Sequence, residues 1–153
     1  MSRTGLEIFD TTLQETNHWL KRVMEELETD DRKLAFTALR ATLHALRDRI
    51  GPANAVHLGA QLPMLLRGAY YEGWRLSETP THERHLDGFL AHIDANLPRN
   101  AQIGSGEAAR ATFSVVAECL DSGEVDKLMQ LLPLEIRSLS TGCFDEAEPR
   151  LAI

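Results

Sequence analysis

His82, His85 and His92 are the residues whose type and spacing most invite metal chemistry. They fall three and seven positions apart, which brings them to one face if the segment is helical, and Glu83 stands among them. A zinc enzyme needs three or four convergent ligands, steadied by hydrogen-bonded outer groups. The string His82-Glu83-Arg84-His85 is one residue short of the H-E-x-x-H motif, and no cysteine pair accompanies it. A metal-dependent enzyme at His82, His85 and His92 is therefore only the second alternative. The simpler account is a solvated polar face at the start of a helix, and no metal ligand is assigned.

Other reactive residue types give less. Acid pairs such as Glu25-Glu26 and Asp30-Asp31 are adjacent in sequence, which suits a solvated face and a helix cap better than an acid–base couple. There is no glycine-rich phosphate loop, nucleophile elbow or zinc helix, so no catalytic residue and no cofactor are assigned. Arg67 and Arg137 each lie one helical turn beyond a proline. Either could clamp an anion, or lay its stem on the core and pair with a carboxylate or with helix C-terminal carbonyls. Tyr70, Tyr71 and Trp74 gather three of nine aromatic residues into five positions. Such rings serve as a recognition surface or as packing between helices. Arg67, Tyr70, Tyr71 and Trp74 are the candidate contacts for a ligand or partner.

The elements that must hold these residues repeat. Residues 38–67 and 108–137 align without a gap at a shift of 70, and eight of the 30 pairs are identical, among them Arg40/Arg110, Thr42/Thr112, Pro63/Pro133 and Arg67/Arg137. A repeat of this kind fixes architecture before chemistry. Recurrence in both copies points to a structural role for the paired arginines. It does the same for Thr42 and Thr112, whose hydroxyls can bond a carbonyl one turn back, and for Ala41 and Ala111, which allow close helix approach.

Periodicity reads as helix throughout. A first helix over 11–28 carries the stripe Leu13, Thr16, Leu20, Val23 and Leu27, answered 70 residues on by Leu86, Leu90, Ile93 and Leu97. A second over 31–49 turns Leu39, Leu43, Leu46 and Ile50 inward, answered by Ala109, Phe113, Val116 and Leu120. Asp30 or Asp31 can cap it, and Ser105 its twin; Gly51-Pro52 and Ser122-Gly123 stop the two. The third segment breaks before Pro63 and resumes to Tyr71, and its twin breaks before Pro133. The expected fold is all-α, a helical bundle of two pseudo-repeated three-helix units. The first repeat spans 9–72, a linker 73–80, the second repeat 81–141 and a mobile tail 142–153.

The string His57-Leu58-Gly59-Ala60-Gln61-Leu62-Pro63-Met64-Leu65-Leu66-Arg67-Gly68, followed by Tyr70-Tyr71-Glu72-Gly73-Trp74, closely resembles a bacterial family catalogued as domain of unknown function 2267. Leu131-Leu132-Pro133 to Arg137 resembles that family's second copy, so the likeness covers about Phe9 to Thr141. It implies a small all-helical bacterial protein. It supplies no activity and no catalytic residues.

Composition narrows the partners. Residues 1–70 hold 9 Lys and Arg against 9 Asp and Glu, and residues 71–153 hold 7 against 14, so the whole net charge of −7 falls in the second half. Lys21-Arg22, Arg32-Lys33 and Arg47 with Arg49 are too scattered for a nucleic-acid footprint. No apolar run approaches the ~20 residues of a membrane span, and the first ten residues do not read as a signal peptide. Two cysteines make no disulfide framework. Cys119 reads as a small core residue, and a reducing, cytoplasmic compartment fits. The expected function is a non-catalytic cytoplasmic interaction or regulatory module with an unidentified protein partner or self-association. The alternative is a small-ligand-binding protein that uses the seam between the two units, with a largely apolar pocket there and Arg67 and Trp74 as contacts.

Overall fold

The computed structural model describes residues 3–140. Among them are eight α-helices and no strand, so the protein is all-α. The helices are α1 (Glu7–Leu27), α2 (Arg32–Ile50), α3 (Pro52–Gly59), α4 (Met64–Tyr71), α5 (Leu86–Asp94), α6 (Ser105–Cys119), α7 (Ser122–Gln130) and α8 (Leu134–Arg137). Single 3-10 turns lie at Leu76–Glu78 and Ser138–Ser140. The tail expected over 142–153 lies outside the described residues.

Helices α1, α2 and α6 pack on one another, and α5 lies against α2 and α6. The core between them is built from Trp19 and Val23 of α1, Leu39, Leu43 and Leu46 of α2, Phe89 and Ile93 of α5, and Phe113 and Val116 of α6. Phe89 and Phe113 meet edge to face, with centroids 6.2 Å apart. On the outside, α1 is tied to α6 by Arg22. Its Nε and Nη2 donate to the two oxygens of Glu118 at 2.7 and 3.0 Å.

Helix α2 departs most from its sequence pattern. One apolar stripe is expected, yet the eight consecutive residues from Ala41 to Asp48 are all buried. The cause is position: α1, α3, α4, α5 and α6 surround α2, leaving it no solvent face along that stretch. His44, Arg47 and Asp48 are buried with the rest and must find polar partners inside the protein. Asp31 caps this helix, accepting a hydrogen bond from the Leu34 amide at 3.0 Å.

Four local expectations are corrected. Helix α1 starts at Glu7, four residues early, and Leu6, Ile8 and Phe9 at that start are about half exposed, at 48, 51 and 50%. Ser105 does not cap α6; it is the first residue of the helix, and Gly104 occupies the capping position. Ser122 and Gly123 start α7 instead of stopping α6, because the Asp121 carboxylate accepts from the Gly123 amide and nucleates the new helix. The hydroxyls of Thr42 and Thr112 are buried and bond no carbonyl, so the back-bonding expected of them does not occur.

The breaks at the two prolines have a common construction. Pro63 and Pro133 both have extended backbone, with φ −53° and −58° and ψ 146° and 154°, and each carbonyl accepts from the amide of Arg67 or Arg137 at 2.8 Å. Carbonyls freed where the preceding helix ends go to the arginine one turn on. Arg67 donates to the oxygens of Gly59 at 2.8 Å and Leu62 at 2.9 Å, and Arg137 donates to Leu132 at 3.1 Å.

Gly59 ends α3 where it meets the end of α4. An added Cβ would run into the Tyr71 hydroxyl and lie 2.7 Å from Tyr71 Cζ and 3.1 Å from Tyr70 Cε2. Gly59→Ala should therefore destabilise the protein by about 1–3 kcal/mol, as overpacking does. Thermal unfolding of the variant checks this; a melting temperature equal to wild type would show that the rings move aside freely.

Candidate functional site

The aromatic segment after Arg67 becomes a ladder of rings. Tyr70 is fully buried, and its hydroxyl donates to the Ala55 carbonyl of α3 at 2.7 Å. The rings of Tyr70 and Tyr71 are 5.0 Å apart and tilted; those of Tyr71 and Trp74 are 5.7 Å apart and stacked. The face of Trp74 in turn meets Arg47, whose guanidinium carbon is 5.9 Å from the ring centroid, within cation–π range. The ladder thus runs from the α3–α4 junction to a buried arginine on the central helix.

Arg47 is 4% exposed. Its Nε donates to Asp48 Oδ1 at 2.8 Å, and its Nη1 to the carbonyls of Tyr70 at 2.7 Å and Glu72 at 3.1 Å. One turn back, His44 Nε2 lies 2.7 Å from the Ala69 carbonyl. A carbonyl can only accept, so Nε2 carries the proton. His44 and Arg47 together bind carbonyls at the end of α4, the groups that a helix C-terminus leaves without intrahelical partners. From the other side, His92 Nε2 of α5 lies 3.2 Å from Asp48 Oδ2.

These groups line a cleft of about 340 Å³ between α2, α5 and the connection over 72–81. Arg40, His44, Arg47 and Asp48 come from α2, Glu72 from the end of α4, and His92 from α5. Arg40 Nη2 meets Glu72 Oε1 across the opening at 2.7 Å. The wall is mainly polar, where a largely apolar pocket is expected from the sequence.

Electrostatics follow the burial. Burial pushes the His44 imidazole below its ordinary range, and the charges of Arg47 and Arg40 push the same way. For Asp48 burial alone would raise the carboxyl. Hydrogen bonds from His92 and Arg47, and the Arg47 charge, outweigh it and hold the group below the usual carboxylate range.

A stability slope follows from His44. Its folded pKa is depressed, so its contribution is complete above the unfolded value of 6.5 and is lost as pH falls from there through the folded value. Asp48 acts in the same sense but only at lower pH, below its unfolded value of 3.8. His85, raised by its hydrogen bond with Glu135, acts in the opposite sense, its contribution being lost as pH rises through its folded value. The urea midpoint should fall between pH 7 and 5, and His44→Gln, which keeps a donor for Ala69, should flatten that fall. Equal slopes in wild type and variant would show that His44 is not responsible.

The residues singled out by sequence separate. Tyr71 and Trp74 are partly buried, and neither is a wall residue of the cleft; the Arg67 guanidinium is engaged with the carbonyls of Gly59, at the end of α3, and Leu62. His82 and His85 precede α5, which starts at Leu86, so the three histidines do not share a helical face. The Glu83 carboxylate takes the His85 amide, and Glu135 takes the His85 ring, holding that segment outside the helix. Sequence reasoning missed His44, Arg47 and Asp48, and it singled out His92 only for a metal cluster, not as the partner of Asp48. The available signal was Arg47-Asp48 beside Leu46 and Ile50, a charged pair at positions that a central helix cannot expose.

No helix among the described residues is long and apolar enough to cross a membrane. No curated protein matches the chain. The family model described as "Uncharacterized conserved protein (DUF2267)" matches residues 16–139, the stretch that holds the whole ring ladder, the cleft and both proline breaks. The chain belongs to the DUF2267 family.

Proposed function

We propose that the protein is a non-catalytic regulatory or interaction module of the bacterial cytoplasm that binds a small polar ligand in the cleft between two pseudo-repeated three-helix units. The observation that carries this reading is Arg47, a buried charge held at the cleft by Asp48, by two carbonyls and by the Trp74 face. The repeat is supported by Pro63 and Pro133, and by Arg67 and Arg137, which stand 70 residues apart in like surroundings. The cleft has the volume of a small-ligand site, at the lower end of the usual ~300–1,000 Å³. Its charges occur in pairs, Arg40 with Glu72 and Arg47 with Asp48, so a ligand bearing both signs can exchange into them. An amino acid is the simplest such ligand.

Nitrogen-15 spectra recorded against a panel of amino acids, dicarboxylates and sugar phosphates test this. A binder should shift the His92 and Trp74 signals, and Arg40→Ala should abolish the shift. A panel that leaves those signals unmoved overturns the cleft as the site.

A protein partner or self-association is supported by a different surface. Leu6, Ile8, Met64 and Leu65 are 44–51% exposed, and the first three line one shallow groove. Single scattered apolar residues need no explanation, but a contiguous group suits an interface. Concentration-dependent sedimentation that Ile8→Glu abolishes would support self-association. In neither reading is nucleic acid or a membrane the partner.

A further inference from the structure

We infer that His18, Glu118 and Cys119 form a site for a thiophilic divalent cation of the zinc class, built across the α1–α6 contact. One ligand atom from each, an imidazole nitrogen, a carboxylate oxygen and the thiol sulfur, lies within 4.8 Å of the other two. Around a tetrahedral zinc, with bonds of about 2.0–2.3 Å, such atoms stand roughly 3.3–3.7 Å apart. Closing the set therefore takes about 1 Å, which side-chain rotation at the exposed His18 and Glu118 can supply. Among the described residues it is this trio, and not His82, His85 and His92, that gathers in this way.

The surroundings favour the assignment. Arg22, one turn along α1 from His18, grips both oxygens of Glu118 and turns that carboxylate toward α1. An ionised carboxylate offers about four lone-pair sites, so two remain for an ion. Arg22 also reaches Glu25 and Glu26, leaving three carboxylates around one guanidinium, a locally negative patch. Sulfur with imidazole selects zinc-like ions over magnesium or calcium, which want oxygen alone. As the metal–sulfur bond forms, the Cys119 thiol releases its proton to solvent. Three protein ligands leave a fourth position for water.

Cobalt(II) titration of the full chain carrying Cys143→Ser, which removes the only other thiol, is the test. The expected result is one equivalent bound, with a thiolate-to-cobalt charge-transfer band that zinc bleaches and magnesium leaves alone. Cys119→Ser should remove the band. His18→Ala should weaken binding by at least about a hundredfold, more than the roughly 10–100-fold typical of outer-shell losses; Arg22→Gln, acting through the orientation of Glu118, should fall within that range. No band in the parent, a band that survives Cys119→Ser, or an unchanged cobalt affinity in His18→Ala overturns the site. His18 is exposed, so its variant decides the matter even if Cys119→Ser fails to fold.

Discussion

Arg47→Ala should lower the stability of the protein by about 3–5 kcal/mol, the range for removing one partner of a buried ion pair. The change leaves Asp48 buried at 8% exposure with His92 as its remaining partner, and strips the Tyr70 and Glu72 carbonyls of the guanidinium they share. Water entering from the adjoining cleft can reach these groups, which places the expected value near the lower end. Arg47→Lys should recover only part of the loss, because a single ammonium cannot reproduce a fork that serves Asp48 on one side and two carbonyls on another. Urea denaturation of the three proteins at pH 7 measures this. A loss below about 1 kcal/mol for Arg47→Ala would mean that the α4 end is held by other contacts.

Tyr70→Ala should cost a similar amount, about 3–5 kcal/mol, as large-to-small changes at aromatic core positions do. Tyr70 is among the largest fully buried side chains, and its ring is the inner rung of the ladder that reaches Trp74. Tyr70→Phe separates the two contributions. It keeps the ring and deletes only the bond to the Ala55 carbonyl, so a loss of about 1 kcal/mol is expected. Denaturation midpoints of the two variants decide. If Tyr70→Phe costs as much as Tyr70→Ala, the hydroxyl and not the packed ring holds α3 to α4.

The helices were legible because their apolar spacing is regular and their ends carry recognisable chemistry: Asp31 before α2, Gly51-Pro52 after it, Pro63 and Pro133 at the breaks. Gly51 adopts φ 88°, which glycine tolerates and a side chain does not, and that is why the α2–α3 turn could be read directly. Legibility failed where tertiary partners override local pattern. The segment before α5 looks helical but is held out by Glu83 and Glu135, and Glu135 lies 50 residues away. The cleft was hidden for the same reason. Apolar spacing marks Leu39, Leu43 and Leu46 as inward and gives no sign that His44 and Arg47 are buried with them, because that follows from the five helices packed around the stretch from Ala41 to Asp48. The aromatic cluster was visible as a composition anomaly, but which ring is buried depends on where α3 runs beneath α4.

The way α1 is held bears on how the chain acquires its fold as it is made. Its inner residues Trp19 and Val23 rest in a core shared with α2 and α6, and Arg22 closes on Glu118, 96 residues later. At a synthesis rate of about 5–20 residues per second, roughly 5–20 s separate the appearance of α1 from that of its last partner. Through that interval the part of the α1 face that α6 covers stays bare, although α2 and α4 are already made, and final docking must wait for late-arriving sequence. A nascent chain halted before α6 should therefore be open to proteases and to chaperone capture, whereas release after residue 140 should let it close in one cooperative step.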